Sequence, residues 1–131
     1  MKFNALIPDL SVSDLAKSKR FYLDLLGFHL NYERPEDGFV FLSFGEAQLL
    51  LEQVNGHWET GELVPPFGRG INFQIEAPDV TQLRERLVAN KLPLFRDVYE
   101  TTYRENDTLH KVRELLVQDP DGYLLRFSQT L

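Results

Sequence analysis

Residues 71–90, INFQIEAPDVTQLRERLVAN, decide the fold, because they repeat in one short segment what the chain has already done at its start. Ile71, Phe73, Ile75 and Ala77 alternate with Asn72, Gln74 and Glu76, the period of two that marks a strand. Asp79, with Gln82 three residues on, makes a capping-box start for a helix that carries Val80, Leu83, Leu87 and Val88 at helical spacing. Asn90 stands where a left-handed helix cap belongs. Residues 3–12 do the same thing earlier: Leu6, Pro8, Leu10 and Val12 alternate with Ala5, Ile7, Asp9 and Ser11. Ser13 or Asp14 can cap the following helix, whose inward positions are Leu15, Ser18, Tyr22, Leu25 and Leu26, and Gly27 ends it.

Each of these β-α starts is followed by three strand-like runs. In the first half they cover residues 28–33, 39–44 and 47–54, divided by Pro35-Glu36-Asp37-Gly38 and Gly45-Glu46. In the second half they cover 94–98, 112–118 and 123–127, the last two joined by Asp119-Pro120-Asp121-Gly122. Residues 99–109 read as an irregular loop too long for a tight hairpin, of the kind that is often functional. The chain is therefore expected to be one α+β domain of two tandem β-α-β-β-β modules, residues 1–54 and 69–131, with a Gly- and Pro-rich linker at 55–68.

Bulk composition narrows the function classes. With 131 residues the chain can bury a core without staples, and it has no cysteine, so disulfides, thiolate metal sites and a cysteine nucleophile are excluded. Fourteen basic against twenty acidic side chains leave a net charge of −6, which argues against a nucleic-acid partner and favours solubility and cationic or neutral ligands. No apolar run reaches the roughly 20 residues needed to cross a bilayer, and the start of the chain has no signal-peptide stretch; the expected location is the cytoplasm, with no membrane partner.

The segment Val12-Ser13-Asp14-Leu15, then Phe21-Tyr22 and Leu26-Gly27-Phe28, and the closing Asp119-Pro120-Asp121-Gly122-Tyr123 together resemble the vicinal-oxygen-chelate superfamily, also called the glyoxalase and bleomycin-resistance superfamily. The resemblance spans nearly the whole chain. It implies curved mixed sheets enclosing a cavity, with the helices on the convex faces. The scaffold hosts isomerases, dioxygenases, thiol transferases and non-catalytic binders, so the fold alone leaves function open.

Metal-dependent relatives place four ligands on the concave strands, and carried over by motif these positions are Ile7, Glu52, Asn72 and Arg126. Only Glu52 is a good donor for a divalent cation: Ile7 has no lone pair, Asn72 is a weak neutral donor, and Arg126 is a permanent cation. His29, His57 and His110 share no ligand spacing and read as surface residues. No metal or other cofactor is therefore expected. If the four positions still converge, Glu52 and Arg126 should form an ion pair in the vacated site.

Two features resemble the bleomycin-resistance branch: Pro8-Asp9-Leu10 in the first strand, where relatives exchange a segment with the partner subunit, and Arg113-Glu114-Leu115-Leu116-Val117-Gln118-Asp119-Pro120 in the seventh. The Trp and Gly usual before the second motif are replaced by Leu109-His110-Lys111-Val112. The resemblance implies a homodimer that sequesters a cationic or polar aromatic, antibiotic-like small molecule in interface grooves, with no catalytic residue. Strand parity puts Gln48 and Leu50 beside Glu52, Gln74 and Glu76 beside Asn72, Leu124 and Ser128 beside Arg126, and Asp9 beside Ile7. The expected ligand-binding residues are Asp9, Phe39, Phe41, Gln48, Glu52, Trp58, Phe67, Asn72, Tyr103, Glu114 and Arg126. The competing readings are an enzyme of the same fold, with an atypical metal site or with Glu52 or Asp9 as general base, and a pure interaction domain.

Overall fold

Two apolar runs, residues 39–42 and 49–51, build the core of the first sheet. In the computed structural model, which describes residues 1–131, β1 (Asp9–Val12), β2 (His29–Arg34), β3 (Phe39–Phe44) and β4 (Ala47–Gln53) line up in the order β1-β4-β3-β2. β1 runs parallel to β4, and the other pairs are antiparallel. Along β4, Leu49 and Leu51 are buried while Gln48, Leu50 and Glu52 are half-buried, so one face joins the core and the other carries polar groups. α1 (Leu15–Arg20) packs against β4 and continues as a π-helical turn, Phe21–Leu26, ended by Gly27 at φ 86°. Asp14 caps α1 by accepting from the Lys17 N–H at 3.2 Å.

The second unit repeats the plan. β5 (Asn72–Glu76), α2 (Val80–Ala89), β6 (Arg96–Glu105), β7 (Thr108–Gln118) and β8 (Leu124–Thr130) give a sheet in the order β5-β8-β7-β6, with β5 parallel to β8. Asp79 caps α2 as expected, accepting from the Gln82 N–H on Oδ1 at 3.0 Å. Val80, Leu83 and Leu87 of α2 are buried, as are Leu115, Val117, Leu125 and Phe127 of the sheet. The β7–β8 turn is built by Asp119, whose buried carboxylate accepts from the N–H groups of Asp121 and Tyr123, each at 2.9 Å. The fold is thus α+β with two β-α-β-β-β units, which separate into compact bodies Met1–Phe67 and Gly68–Leu131. No helix is long and apolar enough to cross a membrane.

Three expectations need correcting. The first strand begins at Asp9 rather than at residue 3, because Pro8 has no N–H for a ladder; its carbonyl still accepts from Leu50 N at 2.9 Å. Residues 2–4 are held instead by Gln48, which accepts from Asn4 N and donates to Lys2 O, both at 2.7 Å, and by the Asn4 side chain, which donates to Glu46 O at 2.9 Å. At the end of α2 the left-handed residue is Lys91 (φ 59°), while Asn90 stays at φ −95° and donates its side-chain amide to Arg86 O at 2.8 Å. Most importantly, residues 99–109 are no loop. β6 and β7 pair without a break from Tyr99↔Glu114 to Glu105↔Thr108, and Asn106 takes the left-handed turn position at φ 52°. Cross-strand pairs reinforce this hairpin: Glu100 meets Arg113 at 3.1 Å and Lys111 at 3.5 Å, and Glu105 meets His110 at 2.7 Å.

Gly68 shows how tightly the second unit is closed. At φ 71° it occupies backbone that side chains rarely adopt, and an added Cβ would lie 2.7 Å from the Tyr123 ring. Gly68→Ala should therefore cost about 1–3 kcal/mol in urea unfolding, whereas Gly61→Ala, with nothing within 4 Å of the added atom, should be near neutral. Equal effects at the two positions would contradict this packing.

Candidate functional site

The polar face of the second sheet converges on Glu114. Its side chain is fully buried, which for an ionised carboxylate demands several donors. It has them: Tyr99 OH donates to Oε1 at 2.6 Å, Tyr103 OH donates to the same oxygen at 2.8 Å, and Arg126 Nη1 lies 3.4 Å from Oε2. Burial acts to raise the Glu114 pKa, but Tyr99, Tyr103, the Arg126 charge and Ser128 together hold it below the usual carboxylate range. Burial and the same carboxylate push the Tyr99 hydroxyl up to about 12, so it remains a donor throughout the neutral range. Arg126 is fixed from its other side by Asn72 Oδ1 (3.0 Å to Nε) and Gln74 Oε1 (3.1 Å to Nη2), and Tyr103 OH accepts from Nη1 at 3.3 Å.

Arg126, expected to pair with Glu52, takes a carboxylate from its own sheet. The carboxylate of Arg126 is Glu114, on the neighbouring strand of its own sheet and opposite Ser128 in register. Parity explains the choice, since Glu114, Arg126 and Ser128 share one face. Asn72, Tyr103, Glu114 and Arg126 are brought together as expected residues of one cluster. Glu114, however, is saturated by its own unit and presents no open lone pair to a ligand. Tyr99 and the role of Gln74 as a guanidinium acceptor complete the cluster. Tyr99 was legible only by extending β6, since Tyr99 and Tyr103 then fall on one face.

The first unit carries a different chemistry on its polar face. Asp9 and Glu52, from adjacent parallel strands in which Ser11 stands opposite Glu52, hydrogen-bond through their carboxyl groups. Although Asp9 is an exposed residue, desolvation of its carboxyl, that hydrogen bond and the Glu52 charge push it up to about 7, so Asp9 keeps a proton to near neutrality. Beside it stands an aromatic wall: Phe39 lies opposite Glu52 and Phe41 opposite Leu50 in register. Tyr32 stacks on Phe41 at 5.2 Å and tilts over Phe39 at 5.8 Å. The Arg34 guanidinium sits 3.9 Å from the centre of the Phe39 ring. Phe39 and Phe41 are themselves buried, Phe41 under the edge of Phe3 at 5.5 Å, and Gln48 is occupied by residues 2 and 4.

The remaining expected residues lie in the loop after β4. Trp58 is exposed with His57 edge-on to it at 6.2 Å, and Phe67 is buried at the wall of an open cavity of about 490 Å³ shared with Ser13, Val54, Gly56, Glu59, Gly61 and Leu63. Glu59 ties this loop, accepting from Asn55 N at 3.4 Å and Trp58 N at 3.2 Å. His29, His57 and His110 are exposed.

The donor set does not fit a divalent metal. Ile7 offers no lone pair, Asn72 Oδ1 is taken by Arg126, and Glu52 is hydrogen-bonded to Asp9. No three His, Asp or Glu side chains come together elsewhere.

Two repeated α+β units whose sheets each carry a polar face define a tandem-module scaffold. The chain belongs to the Glyoxalase/Bleomycin resistance protein/Dioxygenase superfamily, whose sequence profile matches residues 4–127. A superfamily member from Vibrio splendidus 12B01 shares 32% identity over 94% of this chain and 95% of its own, at a TM-score of 0.43. One from Alicyclobacillus acidocaldarius shares 20% identity over 98% and 92%, at a TM-score of 0.66. A lactoylglutathione lyase from Agrobacterium tumefaciens shares 19% identity over 98% and 96%, at a TM-score of 0.61. No curated protein matches the chain.

Double-mutant cycles check the pairing. Arg126→Ala should cost about 3 kcal/mol by stranding buried Glu114, and the Arg126→Ala/Glu114→Gln pair should cost clearly less than the sum of its single changes. The Arg126→Ala/Glu52→Gln pair should be additive; coupling there and not with Glu114 would reverse the assignment.

The two units should also respond to pH in opposite senses. Glu114, held below its ordinary 4.5, contributes stability that is present above that value and lost as pH falls through its folded pKa. Asp9, raised to about 7, contributes stability that is complete below 3.8 and lost as pH rises towards 7. In urea unfolding across pH, Asp9→Asn should flatten the fall between those values, and Glu114→Gln should flatten the acid limb. A wild-type curve unchanged by either substitution would remove both carboxylates from the account.

Proposed function

We propose that the chain is a non-catalytic binder of a small cationic, aromatic or polar molecule of antibiotic-like character, working as a cytoplasmic homodimer in the manner of bleomycin-resistance proteins. The observation that carries this reading is the Asp9–Glu52 carboxyl pair standing beside the Tyr32, Phe39 and Phe41 wall on one sheet face. A cation entering there would meet the carboxyls from one side and, of the wall, the half-buried Tyr32 ring, while Phe39 and Phe41 are buried behind it; Arg34 over Phe39 is an internal example of cation–ring contact. Arg126, in the second unit, is held in a fixed plane by Asn72, Gln74, Tyr103 and Glu114, which leaves one Nη2 N–H for a polar ligand atom. Sequestration asks for no nucleophile, only for affinity.

An enzymatic reading is favoured by one feature, the Asp9 pKa near 7, which suits a general base at neutral pH. The two readings part on whether a bound molecule is recovered unchanged after prolonged incubation with the protein.

Benzamidine, a planar aromatic cation, and benzamide, its neutral counterpart, test the binding reading by calorimetry. Benzamidine should bind at least about tenfold more tightly, a difference of about 1.4 kcal/mol. Its affinity should fall with added salt and with the Asp9→Asn/Glu52→Gln double change. Equal binding of the two probes, insensitive to both changes, would contradict the reading.

A further inference from the structure

The long hairpin of the second unit ends in an edge without a neighbour. β6 is the outermost strand of the order β5-β8-β7-β6, so its outer row of N–H and C=O groups lacks a strand partner. α2 shields only its beginning, where Arg84 holds Asp97 at 2.7 Å and the register shifts between Arg96 and Tyr99. From Tyr99 to Glu105 the strand is regular, and Thr102 to Glu105 are exposed. The β7 residues Thr108 to Lys111, which complete the outer hairpin, are exposed as well, with Leu109 at 69%. β8 begins its pairing with β7 only at Val112↔Thr130, so the outer half is a ribbon of two strands, a structure marginally stable by itself in water.

We infer that this edge is an interface for a second copy of the chain, β6 pairing antiparallel with β6 of the partner across a two-fold axis centred on Thr102. The register follows from charge. Residues directly opposite in an antiparallel pair point their backbone groups the same way, so a strand that pairs with its own copy must be centred on a residue. Centring on Glu100 sets Arg96 against Arg104, and centring on Thr101 sets Asp97 against Glu105; both oppose like charges and both run into the register shift. Centring on Tyr103 brings no opposite charges together within the strand. Centring on Thr102 sets Glu100 against Arg104 twice by symmetry, Thr101 against Tyr103, and Thr102 against itself. Arg104 has no carboxylate partner within the chain, and Glu100, which already meets Arg113 at 3.1 Å and Lys111 at 3.5 Å, keeps its side chain 41% exposed and so open to a further cation. The self-paired edge would join the second-unit sheets of two copies into one eight-stranded sheet and cover the ribbon that is exposed in one copy. This goes beyond the binding reading and does not depend on it.

The chain has no cysteine, so Thr102→Cys introduces a lone reporter on the axis. Opposed residues there would have Cα atoms about 4.5–5.5 Å apart, inside the range of about 4.4–6.8 Å that a disulfide spans. Under mild oxidation Thr102→Cys should cross-link into dimers at least about tenfold faster than Thr60→Cys, an exposed control in the first unit. In sedimentation across concentration, Arg104→Glu should weaken the wild-type dimer about tenfold or more, and Arg104→Lys should largely preserve it. Cross-linking no faster than the control, a monomer throughout the range up to about 100 μM, or a dimer indifferent to Arg104→Glu would each overturn the inference. The last result would point to another surface, and none of the three bears on benzamidine binding.

Discussion

A buried carboxylate has to be answered by donors, and the second unit is arranged around that requirement at Glu114. Its partners come from four positions on the two neighbouring strands: Tyr99 and Tyr103 on β6, and Arg126 and Ser128 on β8. Arg126 in turn draws in Asn72 and Gln74 from β5. One acidic side chain therefore links all four strands on a face that could otherwise slip in register, because hydrogen bonds of this kind cost much more to break singly than to keep together. The same network removes Arg126 and Asn72 from any role as metal ligands and fixes the guanidinium plane.

The first unit meets the same topology with the opposite electrostatics. Where Glu114 has cation and hydroxyl donors, Asp9 faces the Glu52 carboxylate, so Asp9 keeps a proton to near neutrality. A pair of acids short of a cation, next to stacked rings, is a place where a cationic aromatic molecule gains from both sides. The contrast between a satisfied cluster and an unsatisfied one in two copies of one module is the reason the proposed binding reading puts the cation at the first unit.

Much of the fold was legible because its signals are local. The capping residues Asp14 and Asp79, the period-two runs of β4 and β5 and the Asp119 turn act over a few residues and need no knowledge of distant partners. The outer hairpin was hidden because Glu100, Arg104, Glu105 and Lys111 give it the composition of a solvated loop, and only cross-strand pairing discloses why charged residues sit there. Of the site, face parity correctly grouped Asn72 with Gln74, and Gln48 and Leu50 with Glu52. The partner of Arg126 was missed because parity says which face a residue occupies and not which strand lies next to it. Gln48 was legible as a face residue, but its grip on residues 2 and 4 was not, since that depends on where the chain goes before Pro8.

The central claim is that the Asp9–Glu52 pair receives the positive charge of a ligand. A cation bound there favours the ionised form of Asp9 and must lower its pKa from about 7, so binding at neutral pH has to expel protons. Calorimetric titration with benzamidine at pH 7, repeated in buffers of different ionisation enthalpy, counts those protons directly. Release of roughly half a proton per ligand, abolished in Asp9→Asn, is the result expected for a group near its midpoint. Binding with no proton exchange, or with uptake, would show that the cation sits elsewhere.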